Sequence, residues 1–152
     1  MNSSSKNSSD VVIREFCMED YDALITLWND VQLPYRPKGR DRRDKIEYEL
    51  KQGKTIFLVA EINSKLVGSI LGTHDGRKGW INRLAVASEF RRQDIARRLV
   101  AEVEGRLSEL GIEVVACLIE EGNTKSVQVF ERLGYKKHSN IVYFSKRRDS
   151  DV

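Results

Sequence analysis

Ile95, Ala96, Leu99, Val103, Leu107 and Leu110 recur at spacings of one, three, four, four and three residues, and Gly111 follows directly. That period lays them along one face of a helix, with a glycine placed to end it in the left-handed conformation. Arg97, Arg98, Glu102 and Glu104 fall mainly away from the apolar face. Just upstream, Trp80-Ile81-Asn82-Arg83-Leu84-Ala85-Val86 reads as a strand whose far half is continuously apolar, which suits a central place in a sheet. Just downstream, Glu113 to Ile119 is β-branched and apolar again. Trp80 to Ile119 is therefore a strand-helix-strand unit, which requires parallel strands and a right-handed crossover.

The rest of the chain reads around that unit. Val11 to Arg14 is a short first strand, and Glu19 or Asp20 opens a helix whose apolar side is Tyr21, Leu24, Ile25, Leu27 and Trp28. Pro34, Pro37 and Gly39 keep Gln32 to Arg43 a loop until Arg40 or Asp41 starts a second helix, closed by Gly53. Thr55 to Glu61 and Lys65 to Thr73 flank Ile62-Asn63-Ser64, a connection suited to a hairpin, so they form an antiparallel pair. A further helix spans Thr124 to Leu133 and stops at Gly134, and Tyr135 to Lys137 with Ile141 to Ser145 read as closing strands.

A chain of 152 residues has room for one core, burying roughly 70% of its unfolded surface. The expected organisation is a disordered tail over 1–10, one domain over 11–147, and a polar tail over 148–152 read as disordered too. No apolar run is long enough to cross a bilayer, so the sequence predicts a soluble, cytoplasmic protein. Cys17 and Cys117 have no ligand neighbours at metal spacing and are expected as buried free thiols; no metal site is expected. His74 and His138 sit at turns without a triad or metal partner.

The chemistry-bearing stretch is Phe90-Arg91-Arg92-Gln93-Asp94-Ile95-Ala96-Arg97-Arg98-Leu99, between the buried strand and the start of the amphipathic helix. A helix N-terminus there presents unpaired amides and a partial positive charge of about half a unit, which suits a phosphate ligand. Taken alone, the stretch is equally compatible with a solvated basic loop. The slight excess of 26 Lys and Arg over 23 Asp and Glu is a mild bias toward anionic ligands.

Arg91-Arg92-Gln93-Asp94-Ile95-Ala96 resembles the acetyl-coenzyme A signature R/Q-x-x-G-x-G/A of the GNAT acetyltransferase superfamily. Leu84-Ala85-Val86 is similar to the family's strand before that loop. Asn123 with Val129-Phe130-Glu131-Arg132-Leu133-Gly134-Tyr135 resembles its N…FYEKLGF segment. The resemblance implies an α/β fold with a mixed, mostly antiparallel sheet of six or seven strands, one splayed parallel pair, and helices on both faces. It implies an N-acetyltransferase moving an acetyl group from acetyl-CoA to a primary amine by direct attack. The amides of Arg91, Arg92, Gln93, Asp94, Ile95 and Ala96 would hold the pyrophosphate, the backbone of Leu84, Ala85 and Val86 would pair with the pantetheine, and Asn123 and Phe130 would flank the thioester.

This chain departs from the family pattern at Asp94, where relatives carry glycine, and at Phe130, where many carry a tyrosine acid. As N-cap, Asp94 would self-cap the helix and compete with the cofactor for its amides. Tyr135 and Tyr143 are the substitute acids, and Glu120 or Glu121 the candidate base. On the acceptor side the candidates are Tyr35, Arg36, Asn82 and Arg83; the basic residues from Arg36 to Lys45 suit an acceptor with a carboxylate or phosphate, or a solvated helix start. The alternatives are a weakened acyl-CoA-binding or regulatory module and, with no supporting motif, a nucleic-acid binder. A homodimer is compatible with exposed terminal strands.

Overall fold

Asn63 and Ser64 both take positive φ, 50° and 66°, the geometry of a two-residue hairpin loop whose twist matches its strands. In this computed structural model, which describes residues 10–91 and 94–152, that turn sets β2 (Ile56–Ile62) antiparallel to β3 (Lys65–His74). β1 (Val12–Glu15) adds antiparallel to β2, and β4 (Lys78–Val86) to β3. β5 (Val114–Cys117) joins β4 in parallel, as the strand-helix-strand unit requires, giving the order β1-β2-β3-β4-β5.

The helices cover both faces. α3 (Ile95–Glu109) buries Ile95, Leu99, Val100, Val103 and Leu107 on one face together with Phe130 of α4 (Thr124–Arg132). α1 (Tyr21–Asp30) and α2 (Arg43–Gln52) cover the other with Leu24, Leu27, Trp28 and Ile46. Gly72 and Gly79 let α3 lie against the sheet: a Cβ on Gly72 would come within 2.7 Å of Val103 Cγ1, and one on Gly79 within 2.6 Å of Leu107 Cδ1. Among the described residues no helix is long and apolar enough to cross a membrane.

Four expectations need correction. The sheet has five strands among the described residues: neither Tyr135 to Lys137 nor Ile141 to Ser145 forms a strand. A strand needs a partner edge, and this segment is instead carried away at its far end, where the Asp151–Val152 backbone packs on Gly39 so closely that a Cβ there would collide with it. The polar tail is accordingly folded back, with Arg147 Nη1 donating to the Val152 backbone oxygen at 2.8 Å. α2 begins at Arg43, because Asp41 is turned inward to accept hydrogen bonds and cannot open the helix. The cysteines are free, but Cys17 is exposed and Cys117 half-buried. The expected N-terminal tail lies, apart from Asp10, outside the described residues.

Candidate active site

β4 pairs with β5 only from Lys78↔Val114 to Ile81↔Cys117, yet stays paired with β3 as far as Val86. The residues from Asn82 to Val86 therefore have one open edge, on the side where β4 and β5 part. Ala87 N–H donates to Val67 O on β3 at 2.8 Å, so the alternation of a strand turns the Val86 carbonyl toward the open side, where Arg91 Nε donates to it at 3.2 Å. Within this stretch the register passes from Ser69↔Ala85 to Leu71↔Asn82, so Arg83 and Leu84 together oppose Ile70 in a bulge. Arg83 takes φ 57° there. Buried Ser69 holds the bulge: its Oγ donates to Arg83 O at 2.9 Å and accepts from Trp28 Nε1 at 2.9 Å.

At the foot of the opening, Asp94 stands just before α3 with φ 67°, a left-handed conformation that favours glycine and that aspartate tolerates better than most residues. Its carboxylate does not cap the helix. It pairs with Arg97 at 2.7 Å, and that hydrogen bond holds it below the usual carboxylate range. The expected self-capping is thus corrected: a residue in the left-handed region cannot swing its side chain back over the first turn as an extended N-cap does. Ile95 is buried and Ala96 half-buried, so what they can offer a ligand is backbone. Arg92 and Gln93 lie outside the described residues.

Across the opening, Asn123 Oδ1 accepts from Ser126 N at 3.2 Å and caps α4. Phe130 is buried and meets Tyr135 edge to face at 5.1 Å. Tyr135 Oη donates to Glu104 Oε2 at 2.5 Å, and burial, with that carboxylate, pushes its pKa well above the ordinary phenol value. Glu120 is exposed in the turn after β5, its carbonyl accepting from Asn123 N at 3.1 Å. Tyr143 lies apart, on the exposed segment beyond Gly134.

On the face covered by α1 and α2, Arg83 Nη2 donates to Asp41 Oδ2 at 2.7 Å, and Arg36 N donates to the same oxygen at 2.6 Å. The Arg83 guanidinium lies 5.6 Å from the Trp28 ring, which also packs on Tyr35 at 5.6 Å between centroids. Tyr21 Oη donates to Asp41 O at 2.8 Å. The fold therefore joins Tyr35, Arg36 and Arg83, while Asn82 is exposed beside them. Sequence reasoning missed Asp41, Trp28 and Ser69. A single serine in the otherwise apolar run of β3 was the available signal for the last.

A family model described as the acetyltransferase (GNAT) family matches residues 21–135. The chain is 37% identical over 136 residues to the acetyltransferase plu1384 of Photorhabdus laumondii, covering 89% of this chain and 94% of that protein. Among solved structures it is similar to an acetyltransferase from Streptococcus agalactiae, with a TM-score of 0.77 at 19% identity over 93% of this chain and 94% of that one. It is also similar to the PaiA N-acetyltransferase of Thermoplasma acidophilum in complex with coenzyme A, with a TM-score of 0.76 at 19% identity over 86% and 92%.

Proposed function

The chain belongs to the acetyltransferase (GNAT) family, and we propose that it moves the acetyl group of acetyl-coenzyme A onto a primary amine by direct attack. The observation that carries this reading is the parting of β4 from β5 beyond Ile81, with the uncapped start of α3 at its foot. The residues there fit the donor. The first-turn amides of α3 keep their positive end open because Asp94 turns to Arg97, Arg91 adds a cation, and the free edge of β4 through Val86 can take an added strand-like chain. Bound there, acetyl-coenzyme A would supply the acyl group already activated as a thioester.

The chain's own residues then have separable tasks. The bulge at Arg83 and Leu84, pinned by Ser69, fixes the β4 backbone that would face the reacting carbonyl. An amine with a pKa near 10.4 is free in only about one molecule in a few thousand at neutral pH, so a proton acceptor is needed. Glu120, exposed where β5 leaves the sheet and without a side-chain partner among the described residues, takes that role through water. Tyr135 acts as a positioning residue, because its proton is held by Glu104 and its ring orients Phe130.

Calorimetric titration of acetyl-coenzyme A, together with amine-dependent release of free thiol, tests the reading. Micromolar binding and thiol release are expected. Absence of binding in both the parent and Asp94→Gly would overturn it. The rival reading, a weakened acyl-CoA-binding or regulatory module, draws on Asp94 and Phe130; the Arg97 pair speaks against Asp94 as a cap, while its charge and the missing phenol of Phe130 still favour that rival.

A homodimer also belongs to this reading. Ile141, Val142, Tyr143 and Phe144 are 63 to 87% exposed in a run that pairs with no strand among the described residues, and β5 offers an unpaired edge in the same chain. A second copy supplies to each what it lacks. Sedimentation should show a dimer that Val142→Lys disrupts; a monomer at all concentrations would exclude it.

A further inference from the structure

Arginines from three separate parts of the chain converge beside the bulge of β4. Arg36 and Arg40 come from the loop between α1 and α2, whose Arg36 backbone amide Asp41 holds, Arg83 from β4, and Arg147 from the segment folded back onto Gly39, and the charges of Arg36, Arg83 and Arg147 all act on Arg40. Asp41 is the buried carboxylate among them, and it is already spent on Arg83 Nη2 and the Arg36 amide. Among the described residues no side-chain carboxylate pairs with Arg36, Arg40 or Arg147, and Arg147 donates to the Val152 oxygen at 2.8 Å. In the tail, Asp149 accepts from Arg148 and from the Asp151 backbone amide. We propose that Arg36, Arg40, Arg83 and Arg147 form a subsite for an oxyanion on the acceptor, a carboxylate or a phosphate, so that acidic amines are acetylated in preference to neutral ones. This rests on the acetyl-transfer reading above.

Two observations beyond the charge count point the same way. Arg83 Nε is buried with no hydrogen-bond partner, although the same guanidinium bonds Asp41 through Nη2. A buried donor without an acceptor is rare in a folded chain, so Asp41 alone does not satisfy this guanidinium. Arg40 reports the excess of charge: partial withdrawal from water, then the positive charges of Arg83, Arg147 and Arg36, push its pKa below the ordinary value, with Asp41 acting the other way. Guanidinium forks match the planar geometry of carboxylates and phosphates better than ammonium groups do. Arg83 immediately precedes Leu84 on the strand that faces the donor. An oxyanion held here would therefore set an amine a few bonds away at the parting of β4 and β5, which favours small amino acids or aminoalkyl phosphates.

The experiment compares matched pairs of acceptors, β-alanine with propylamine and phosphoethanolamine with ethanolamine, in the parent and in Arg36→Gln/Arg40→Gln. The parent should prefer the acidic member of at least one pair, and which pair identifies carboxylate or phosphate. The double variant should lower kcat/KM for that acidic amine about tenfold more than for its neutral partner, the scale of a lost charged hydrogen bond. Equal acetylation of acidic and neutral amines, or equal losses for both, overturns the subsite and leaves acetyl transfer standing. In parallel, phosphoethanolamine and β-alanine are titrated against the protein without donor and followed by thermal shift. If no amine is acetylated but one of them still stabilises the parent and not the variant, acetyl transfer falls and the subsite stands. If neither effect appears, both fall.

Discussion

Asp41 and Arg83 lie 42 residues apart in sequence and meet at 2.7 Å with side chains 7% and 15% exposed. The pair locks the loop between α1 and α2 onto the bulge of β4, because the same Asp41 oxygen also takes the Arg36 amide. Removing one partner leaves the other charged and out of water. Asp41→Ala should cost about 3 kcal/mol of stability, whereas Asp41→Ala/Arg83→Met should cost less than the sum of the two single changes. Urea unfolding of the four proteins measures the coupling. Additive losses would mean that the pair is not the lock.

Asp94 combines two effects that separate by substitution. Its left-handed backbone favours glycine, and its charge stands just before α3, beside the proposed diphosphate site. The Arg97 pair offsets part of that charge, so Asp94→Gly should raise coenzyme A affinity by about tenfold or less, within the roughly 1 to 4 kcal/mol of two like charges about 4 Å apart. Asp94→Asn keeps tolerance of the left-handed region and removes the charge. It should recover most of the gain, and added salt should shrink the difference. A gain with Asp94→Gly alone would assign the effect to backbone conformation.

Most of the fold is legible in the sequence because local signals and burial agree. The period of Ile95 to Leu107 and the turn at Asn63-Ser64 place α3 and the β2–β3 hairpin almost to the residue. The start of α3 was likewise marked by the arginine-rich loop, whereas the splay of β4 from β5 was expected only from the family resemblance. The acceptor side was not legible, since Asp41 reads as one more charge in a basic loop until the fold brings Arg83 to it. The self-capping expectation for Asp94 failed for a similar reason: N-cap preference presumes extended backbone, and only the folded chain reveals φ 67°. Ile141 to Phe144 has the composition of a strand, but pairing is a property of an edge rather than of a run.

Asp20 predicts a pH signature in stability. Both guanidinium nitrogens of Arg14 bond its carboxylate, at 2.8 and 2.9 Å, and this hydrogen-bonded pair holds Asp20 at about 2. A carboxylate whose folded pKa is depressed contributes stability above its unfolded value and loses it as pH falls through the folded one. With Arg14 34% exposed, the contribution is about 1 to 2 kcal/mol after screening. The stability gap between the parent and Asp20→Asn should be constant above about pH 5 and close as pH falls from about 4 toward 2. A gap unchanged across that window would mean that Asp20 acts through shape and not charge.

Gly72 tests how closely α3 must lie on the sheet. The position is in a regular strand, so alanine there meets no conformational barrier, and the cost comes from the contact of its Cβ with Val103 Cγ1 at 2.7 Å. Overpacking of this kind costs about 1 to 3 kcal/mol. Val103 is fully buried, so Val103→Ala alone should also destabilise, by loss of buried volume. In Gly72→Ala/Val103→Ala the added methyl enters part of the space vacated, and the double variant should be more stable than the sum of the single losses. Because α3 also presents the amides at Asp94, the single Gly72→Ala change should weaken coenzyme A binding and the double should restore part of it. Thermal unfolding and calorimetry on the same samples check both, and loss of stability with unchanged affinity would show that the start of α3 is held independently of its middle.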